Sequence, residues 1–221
     1  AMTPITLNYT SQAGNATVYN GNGSAWMVKD IFPGQGAYSQ GSNPTYITAI
    51  GDTLYFQAKG IDGRELWKSD GTEAGTVLVK DITPGTMPSN APNSTQFNYF
   101  TAVGDTLYFL ADDQIHGWEL WKSDGTEAGT VMVKDLWPGS TDGGWGYLAA
   151  IGDTVYFHGN DGVNGHGLYK SDGTANGTVF VFSISTTYGM VAVGETLYFA
   201  GKEYVANSVW GLYKSDGTAN G

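Results

Sequence analysis

The stretch Glu65-Leu66-Trp67-Lys68-Ser69-Asp70-Gly71-Thr72 decides the fold, because the chain repeats it. Residues 119–126 carry the same eight letters, and the second half of the motif, Lys-Ser-Asp-Gly-Thr, returns twice more. The aspartates of the four copies are Asp70, Asp124, Asp172 and Asp216, at spacings of 54, 48 and 44 residues. Repeats of this length are typical of proteins that stack one supersecondary unit several times.

Two further markers recur with the same spacing. Gly-Asp/Glu-Thr-Leu/Val-Tyr-Phe begins at Gly51, Gly104, Gly152 and Gly194, and Val-Lys-Asp begins at Val28, Val79 and Val133. The opening residues match the pattern in degenerate form, with Asn22-Gly23-Ser24 in the place of the Asp-Gly-Thr turn. We therefore interpret the chain as a single domain, or a fragment of one, made of five units over residues 3–32, 33–82, 83–136, 137–184 and 185–221.

Each complete unit has the periodicity of short strands. In the second unit, strands are predicted over residues 46–50, 53–58, 65–69 and 76–82, with tight turns at Gly51-Asp52 and at Asp70-Gly75. No segment carries the long apolar stripe of an amphipathic helix. The sequence thus predicts an all-β fold, a β-propeller of four-stranded antiparallel blades.

The number of blades depends on how the first unit is assigned. The match of residues 5–24 to two strands favours five blades, which leaves the edge at Leu212-Ser215 open to pair with another chain. In the alternative, Ala25-Ile31 pairs with Leu212-Ser215 and supplies the outer strand of the last unit. Four blades then form the ring, and residues 3–24 become an N-terminal arm.

The segment Glu65 to Thr72 and its copy Glu119 to Thr126 resemble the signature of the bacterial ELWxxDGT-repeat proteins. The later copies depart from it, since Gly167-Leu168-Tyr169 and Gly211-Leu212-Tyr213 replace Glu-Leu-Trp. The resemblance implies a kelch-like propeller on a secreted or surface-attached bacterial protein. It implies no catalytic residues.

The charge balance excludes several classes of partner. Ten Lys and Arg residues stand against 21 Asp and Glu residues, for a net charge of −11. Nucleic-acid backbones and anionic membranes call for the opposite sign, and no stretch is apolar over the length that membrane insertion needs. Without cysteine there is neither a disulfide nor a thiolate metal site. Ala1-Met2 is typical of the remnant of an expression tag, so we expect a fragment of an extracellular or cell-surface protein.

The repeated aspartates Asp70, Asp124, Asp172 and Asp216 are the candidates for metal binding, since carboxylates on a glycine-rich loop bind Ca²⁺. A tight turn explains the same residues without a metal, because aspartate accepts hydrogen bonds from nearby backbone amides and glycine supplies a positive φ. The segment from Ser69 to Glu73 offers two carboxylates, fewer than a calcium loop needs. We favour the turn and expect no cofactor, with Ca²⁺ as the alternative.

The loops between the second and third strands, and those between blades, differ from unit to unit and meet at one face. In repeat proteins such a variable face is often the binding face. Its aromatic rings lie among amides and carboxylates, which suits the apolar side of a pyranose and its hydroxyls. The predicted ligand-binding residues are Tyr38, Trp118, Trp137, Trp145, Asn160, Asp161, His166 and Trp210.

The sequence therefore favours a non-catalytic module that recognises carbohydrate in the manner of a lectin. The alternative is a structural or adhesive module that contacts a cell-surface protein, with or without stabilisation by Ca²⁺. An enzyme is the least favoured interpretation, because the sequence has no nucleophile motif and no metal-binding pattern of histidines. A carboxylate pair such as Asp113 and Asp161 would act on glycosides only if the two groups faced each other in a pocket.

Overall fold

The computed structural model describes residues 27–33, 41–61, 63–83, 97–203 and 208–219, with the backbone alone at residues 97 and 98. Over these ranges the chain forms four antiparallel sheets, and no helix is long and apolar enough to cross a membrane. In each sheet the strands are hydrogen-bonded in the order in which they follow one another along the chain. The predicted all-β architecture of four-stranded antiparallel blades is confirmed.

Each sheet is one blade. Blade one consists of β1 (Thr45–Ile50), β2 (Thr53–Lys59), β3 (Arg64–Ser69) and β4 (Val77–Lys80). Blade two consists of β5 (Phe97–Val103), β6 (Thr106–Asp112), β7 (Trp118–Ser123) and β8 (Val131–Lys134). Blade three consists of β9 (Gly144–Ile151), β10 (Thr154–Asn160), β11 (His166–Ser171) and β12 (Val179–Ser183). The described part of blade four consists of β13 (Thr186–Val193), β14 (Thr196–Lys202) and β15 (Gly211–Ser215).

The outer strand is shorter than the sequence predicts, since β4 begins one residue after Thr76 and ends before Ile82. The Thr76 hydroxyl is hydrogen-bonded to the hydroxyl of Ser69 (2.7 Å) and closes the turn. At the other end, the Ile82 N–H donates to the buried carboxylate of Glu65 (2.9 Å). Both ends of the predicted strand are therefore held by side chains.

The hydrophobic core lies between blades. Three buried clusters each join the residues of one sheet to those of the next. The third strand of one blade contributes a leucine, such as Leu66 or Leu120, and the second strand of the next blade contributes a phenylalanine, such as Phe109 or Phe157. These side chains are at most 1% exposed. Successive blades are thus held together chiefly by burial of apolar surface.

The Asp-Gly-Thr turn has the same hydrogen bonds in its three complete copies. In blade one, Asp70 Oδ1 accepts from the backbone N–H of Thr72 (2.9 Å) and from its hydroxyl (2.7 Å). These bonds hold the pKa of Asp70 below its usual value. Residue 75 must be glycine, because a Cβ on Gly75 would meet the Asp70 carboxylate. Asp124 and Asp172 accept the equivalent bonds.

The turns of blades two, three and four also fasten each of these blades to the preceding one. The Lys68 ammonium of blade one donates to the Gly125 carbonyl of blade two (2.8 Å), and the Tyr55 hydroxyl lies where a Cβ on Gly125 would be. We call this pair of a second-strand tyrosine and a third-strand lysine the turn socket. Two further sockets repeat it: Tyr108 and Lys122 hold Gly173, and Tyr156 and Lys170 hold Gly217.

Residues 27–33 lie against blade one. The Lys29 ammonium donates to the carbonyl of Thr76 (2.8 Å), as the outer-strand Lys134 of blade two does to Thr178 of blade three (3.0 Å). The segment therefore occupies the place of an outer strand preceding blade one.

The number of blades stays a prediction, because the rest of the degenerate first unit falls on residues 1–26, outside the described ranges. The alternative pairing of Ala25-Ile31 with Leu212-Ser215 does not occur among the described residues, where β15 pairs with β14 alone.

Replacing Gly125 with alanine tests the turn socket, and Gly71 provides the matched control. Both glycines have a left-handed φ (84° and 88°), so alanine strains the two turns alike. Only at Gly125 would the new methyl group meet the Tyr55 hydroxyl; around Gly71 no described atom lies within 4 Å. We expect Gly125→Ala to lower the free energy of unfolding by roughly 1–3 kcal/mol more than Gly71→Ala, measured by urea denaturation in dilute solution. Equal losses in the two variants would contradict the contact.

Candidate functional site

The inner strand of every blade carries a β-bulge at its beginning, where its pairing with the second strand shifts register. One residue of each bulge has a left-handed backbone: Tyr46 (φ 55°), Tyr99 (φ 58°), Gly146 (φ 73°) and Gly189 (φ 58°). Glycine adopts this conformation freely, whereas a bulky residue loses on the order of 1–3 kcal/mol. Two blades therefore keep a tyrosine where glycine would be easier to accommodate.

The bulges bring together four tyrosines, one from each blade. This tyrosine cluster consists of Tyr46, Tyr99, Tyr147 and Tyr188. The ring centre of Tyr99 lies 6.2 Å from that of Tyr46 and 4.2 Å from that of Tyr147. Tyr188 extends the cluster towards Trp210, whose ring centre lies 5.0 Å away. Because the inner strands begin at the end of the blade that carries the variable loops, the cluster belongs to the variable face.

The cluster is partly open to solvent. Burial, together with a hydrogen bond to Tyr147 and the proximity of the other cluster hydroxyls, raises the pKa of Tyr99 to about 12. The side chains of Tyr188 and Trp210 are 55% and 50% exposed. Tyr46 is also 41% exposed, so the site offers flat apolar rings edged by hydroxyl groups, with three of the rings accessible from solvent.

A second group of side chains lies in the loops around blade three. The Trp145 ring stacks on the His166 ring (4.7 Å between centres), which stacks in turn on the buried His158 (5.5 Å). Asn160 Oδ1 accepts from the Gly162 N–H (2.9 Å), and Asp161 Oδ1 accepts from the N–H of Val163 (2.9 Å). These polar groups order their own loop.

A small polar cleft of about 280 Å³ opens between the loops of blades two and three, lined by Asp112, Gln114, Gly117, Ser140 and Asp142. The Asp142 carboxylate joins its two sides, since it accepts from the Trp118 backbone N–H (3.1 Å) and from the Trp145 indole N–H (3.3 Å). Burial, with some repulsion from Asp142 and Asp113, raises the pKa of Asp112.

The predicted site residues thus divide into three sets. Trp210 lies against the tyrosine cluster. Trp145, Asn160, Asp161 and His166 form the blade-three group, and Trp137 joins them, because a Cβ on Gly162 would contact its indole ring. Trp118 packs against the core between blades two and three. Tyr38 lies outside the described residues.

Sequence reasoning missed the four tyrosines, although the sequence carries a signal for them. Tyr46, Tyr99 and Tyr147 each lie five residues before the glycine of the Gly-Asp/Glu-Thr marker, and Tyr188 lies six before it. A repeated aromatic residue at the start of the inner strand would have indicated a cluster at the propeller centre, where inner strands converge.

The carboxylates named as candidates for catalysis or metal binding are hydrogen-bonded within their own turns and loops. Asp113 Oδ2 is hydrogen-bonded to His116 Nδ1 (2.7 Å), and Asp161 holds its own loop, so the two groups named as a glycosidase pair each serve a separate turn. Asp216 accepts from the Thr218 N–H (2.8 Å), as the other turn aspartates do from their threonines. No three His, Asp or Glu side chains in the described ranges are placed to share a metal ion. Binding of Ca²⁺ stays a prediction.

No family model matches the sequence, and the comparison with curated proteins finds no match. Solved structures give matches in fold. A puromycin hydrolase aligns with 76% of this chain at 14% identity and a TM-score of 0.53, over 26% of its own length. A puromycin-hydrolysing peptidase of Mycobacterium tuberculosis aligns with 81% at 14% identity and a TM-score of 0.51, over 28% of its length. The chain thus spans about a quarter of these proteins, and the likeness shows the β-propeller fold alone.

The stacked histidines predict a loss of stability in acid. Burial lowers the pKa of His158 to about 4. An unfolded histidine titrates near pH 6.5, so between about pH 6.5 and 4 the unfolded chain binds the proton and the folded chain does not. The contribution of His158 to stability is full above that window and falls by roughly 3 kcal/mol across it.

We expect His158→Gln to remove this part of the pH dependence. Glutamine is the residue at the equivalent position of blade one, Gln57. The comparison is made by urea denaturation from pH 7 to 4. His116→Gln is the control, because hydrogen bonding to Asp113 raises the pKa of His116 and its contribution has the opposite sign. Parallel stability curves for His158→Gln and the unsubstituted chain would refute the role of His158.

Two substitutions at Tyr46 separate its backbone from its ring. Tyr46→Gly and Tyr46→Ala both remove the ring, but only glycine relaxes the left-handed backbone at φ 55°. We expect the glycine variant to be about 1 kcal/mol more stable than the alanine variant. Urea midpoints give the difference, and an alanine variant of equal or greater stability would show that the backbone is not strained.

Proposed function

We propose that this propeller is a non-catalytic binding module that recognises carbohydrate at the tyrosine cluster, in an exported or surface-attached bacterial protein of the ELWxxDGT-repeat type. The observation that carries the proposal is the convergence of Tyr46, Tyr99, Tyr147 and Tyr188 from four blades at the start of the inner strands. One aromatic ring per blade, contributed by the same bulge, is an arrangement that the stacking of blades alone does not require.

The chemistry of the cluster suits a sugar. Aromatic rings pack against the C–H face of a pyranose, and tyrosine hydroxyls donate to and accept from its hydroxyl groups. The half-exposed Tyr188 and Trp210 supply the two most accessible rings, while the hydrogen-bonded pair of Tyr99 and Tyr147 supplies a fixed floor.

The backbone strain supports a role in binding. Tyr46 and Tyr99 hold a conformation that the other two blades assign to Gly146 and Gly189. Left-handed non-glycine residues concentrate at sites where a side chain is needed in one position. Tyr46 contacts the rings of Tyr99 and Phe100 and still leaves 41% of its surface exposed.

Charge favours a neutral ligand. The chain carries a net charge of −11, which repels anionic polymers and acidic sugars over several ångströms. The raised pKa of Tyr99 keeps its hydroxyl protonated at neutral pH, so this ring adds no charge to the site. We therefore expect neutral hexoses or pentoses rather than uronates or sialic acids.

A glycan array probed with the labelled chain tests the proposal, followed by calorimetric titration of any neutral glycan that binds. Tyr188→Ala and Trp210→Ala should each weaken binding about tenfold, corresponding to roughly 1.4 kcal/mol for one stacked ring. Ile115→Ala is the matched control, because Ile115 is an exposed apolar residue (67%) in a loop of blade two outside the cluster, and it should bind as the unsubstituted chain does.

An array without saturable binding would overturn the proposal and favour the structural or adhesive module. Undiminished binding in Tyr188→Ala and Trp210→Ala would place the site elsewhere on the variable face.

A further inference from the structure

One pair of rings in the tyrosine cluster is in close contact. The ring centres of Tyr99 and Tyr147 lie 4.2 Å apart, against 6.2 Å between Tyr99 and Tyr46, and the planes of the pair are inclined at 40°. The hydroxyls of Tyr99 and Tyr147 are also hydrogen-bonded to each other. In a tyrosine ring the two Cε atoms flank the carbon that carries the hydroxyl, so the meeting of the hydroxyls brings Cε atoms of both rings to the same place.

The fold holds this pair together. Tyr99 lies in the bulge of β5 with a left-handed backbone (φ 58°), and Tyr147 follows Gly146 (φ 73°) in the bulge of β9. β5 and β9 pack against each other as neighbouring inner strands. The Tyr99 ring also packs on the core between blades two and three, and the Tyr147 ring on the core between blades three and four. The contact therefore persists as long as these blades are folded.

Two phenols in contact can be joined by oxidation. Loss of one electron and of the hydroxyl proton turns a tyrosine into a phenoxyl radical, whose unpaired electron is shared with the Cε atoms. Two such radicals couple by a bond between one Cε of each ring, and the hydrogen on each bonded carbon then moves to the phenol oxygen. In total two electrons and two protons leave the pair. Hydrogen peroxide takes up both as its O–O bond breaks, and it becomes two molecules of water.

We propose that Tyr99 and Tyr147 are a site of oxidative cross-linking, at which a peroxide-dependent one-electron oxidant joins the two rings into a dityrosine. The bond ties blade two to blade three at the variable face of a chain that has no cysteine for a disulfide. The two tyrosines are 48 residues apart in the sequence. A covalent bond across a loop of this length stabilises a fold mainly by restricting the unfolded chain.

The rest of the cluster gives the oxidant a route to the pair. Tyr46 and Tyr188 are 41% and 55% exposed, so a reagent in solution can take an electron from either ring. The Tyr46 ring centre lies 6.2 Å from that of Tyr99, a separation across which an electron passes readily between rings. The radical therefore reaches the half-buried pair without direct contact between Tyr99 and the reagent.

Photo-oxidation tests the proposal, with tris(bipyridyl)ruthenium(II) as sensitiser and persulfate as the peroxide, which takes up two electrons and gives two sulfate ions. The chain is kept dilute so that cross-links between molecules are rare. Dityrosine fluorescence follows the reaction. Trypsin and mass spectrometry then locate the bond, which joins the peptide of residues 81–122 to that of residues 135–170. We expect this product from the folded chain, and at least tenfold less from the chain unfolded in urea.

Two substitutions remove the reacting hydroxyls and keep the rings. Tyr99→Phe and Tyr147→Phe should each lower the yield of joined peptides at least tenfold. Tyr198→Phe is the matched control, because Tyr198 lies on the second strand of blade four, outside the cluster, and it should react as the unsubstituted chain does. Urea midpoints measured before oxidation establish that each variant is folded. After oxidation the midpoint should rise for the unsubstituted chain but not for Tyr99→Phe.

The proposal is overturned if the folded chain yields no joined peptides, or if the unfolded chain yields as many. A bond that fragmentation places on another pair, such as Tyr46 and Tyr99, also overturns it. Undiminished yield in either Tyr99→Phe or Tyr147→Phe would do the same.

Discussion

The contact between the Asp-Gly-Thr turn and the socket of the preceding blade is the constraint on which the rest of the structure depends. A single four-stranded blade exposes an apolar face that it cannot bury by itself. The turn fixes how the next blade covers that face, because Gly125 fits under the Tyr55 hydroxyl only without a Cβ and presents its carbonyl to Lys68. The strict repetition of the motif follows, since aspartate closes the turn and glycine docks it.

This constraint gives each blade two different ends. One end carries the repeated turns, and the other carries the variable loops. The turns at one end have the same hydrogen bonds from copy to copy, whereas the loops at the other end differ in length and residue type from unit to unit. Residues that lower the stability of the fold are therefore tolerated at the end with the variable loops. The left-handed Tyr46 and Tyr99 and the stacked His158 and His166 all lie there.

The repeat and the strand alternation predicted the architecture correctly because both depend on short-range sequence. What the sequence could not give were contacts between blades. Lys68 and Tyr55 look like ordinary strand residues until the next blade is placed on them, and the tyrosine cluster forms only when four bulges converge. Aromatic content alone could not separate Trp145, which anchors its loop through His166, from the half-exposed Trp210 beside Tyr188. The repeat also left the number of blades open.

The replacement of the motif glutamate by Gly167 in blade three has a physical basis in the connection to the next blade. After blade one the chain leaves β4 for a long loop, and the Ile82 N–H finds its acceptor in the buried Glu65 carboxylate. After blade three only two residues separate β12 from β13, and the equivalent Ile184 N–H donates to the His166 carbonyl (3.3 Å). At Gly167 the Phe180 ring and the Phe182 carbonyl fill the space that a side chain would need. In blade one the glutamate thus accepts from a buried backbone donor that has no strand partner, whereas in blade three a backbone carbonyl accepts that hydrogen bond and the next blade follows directly.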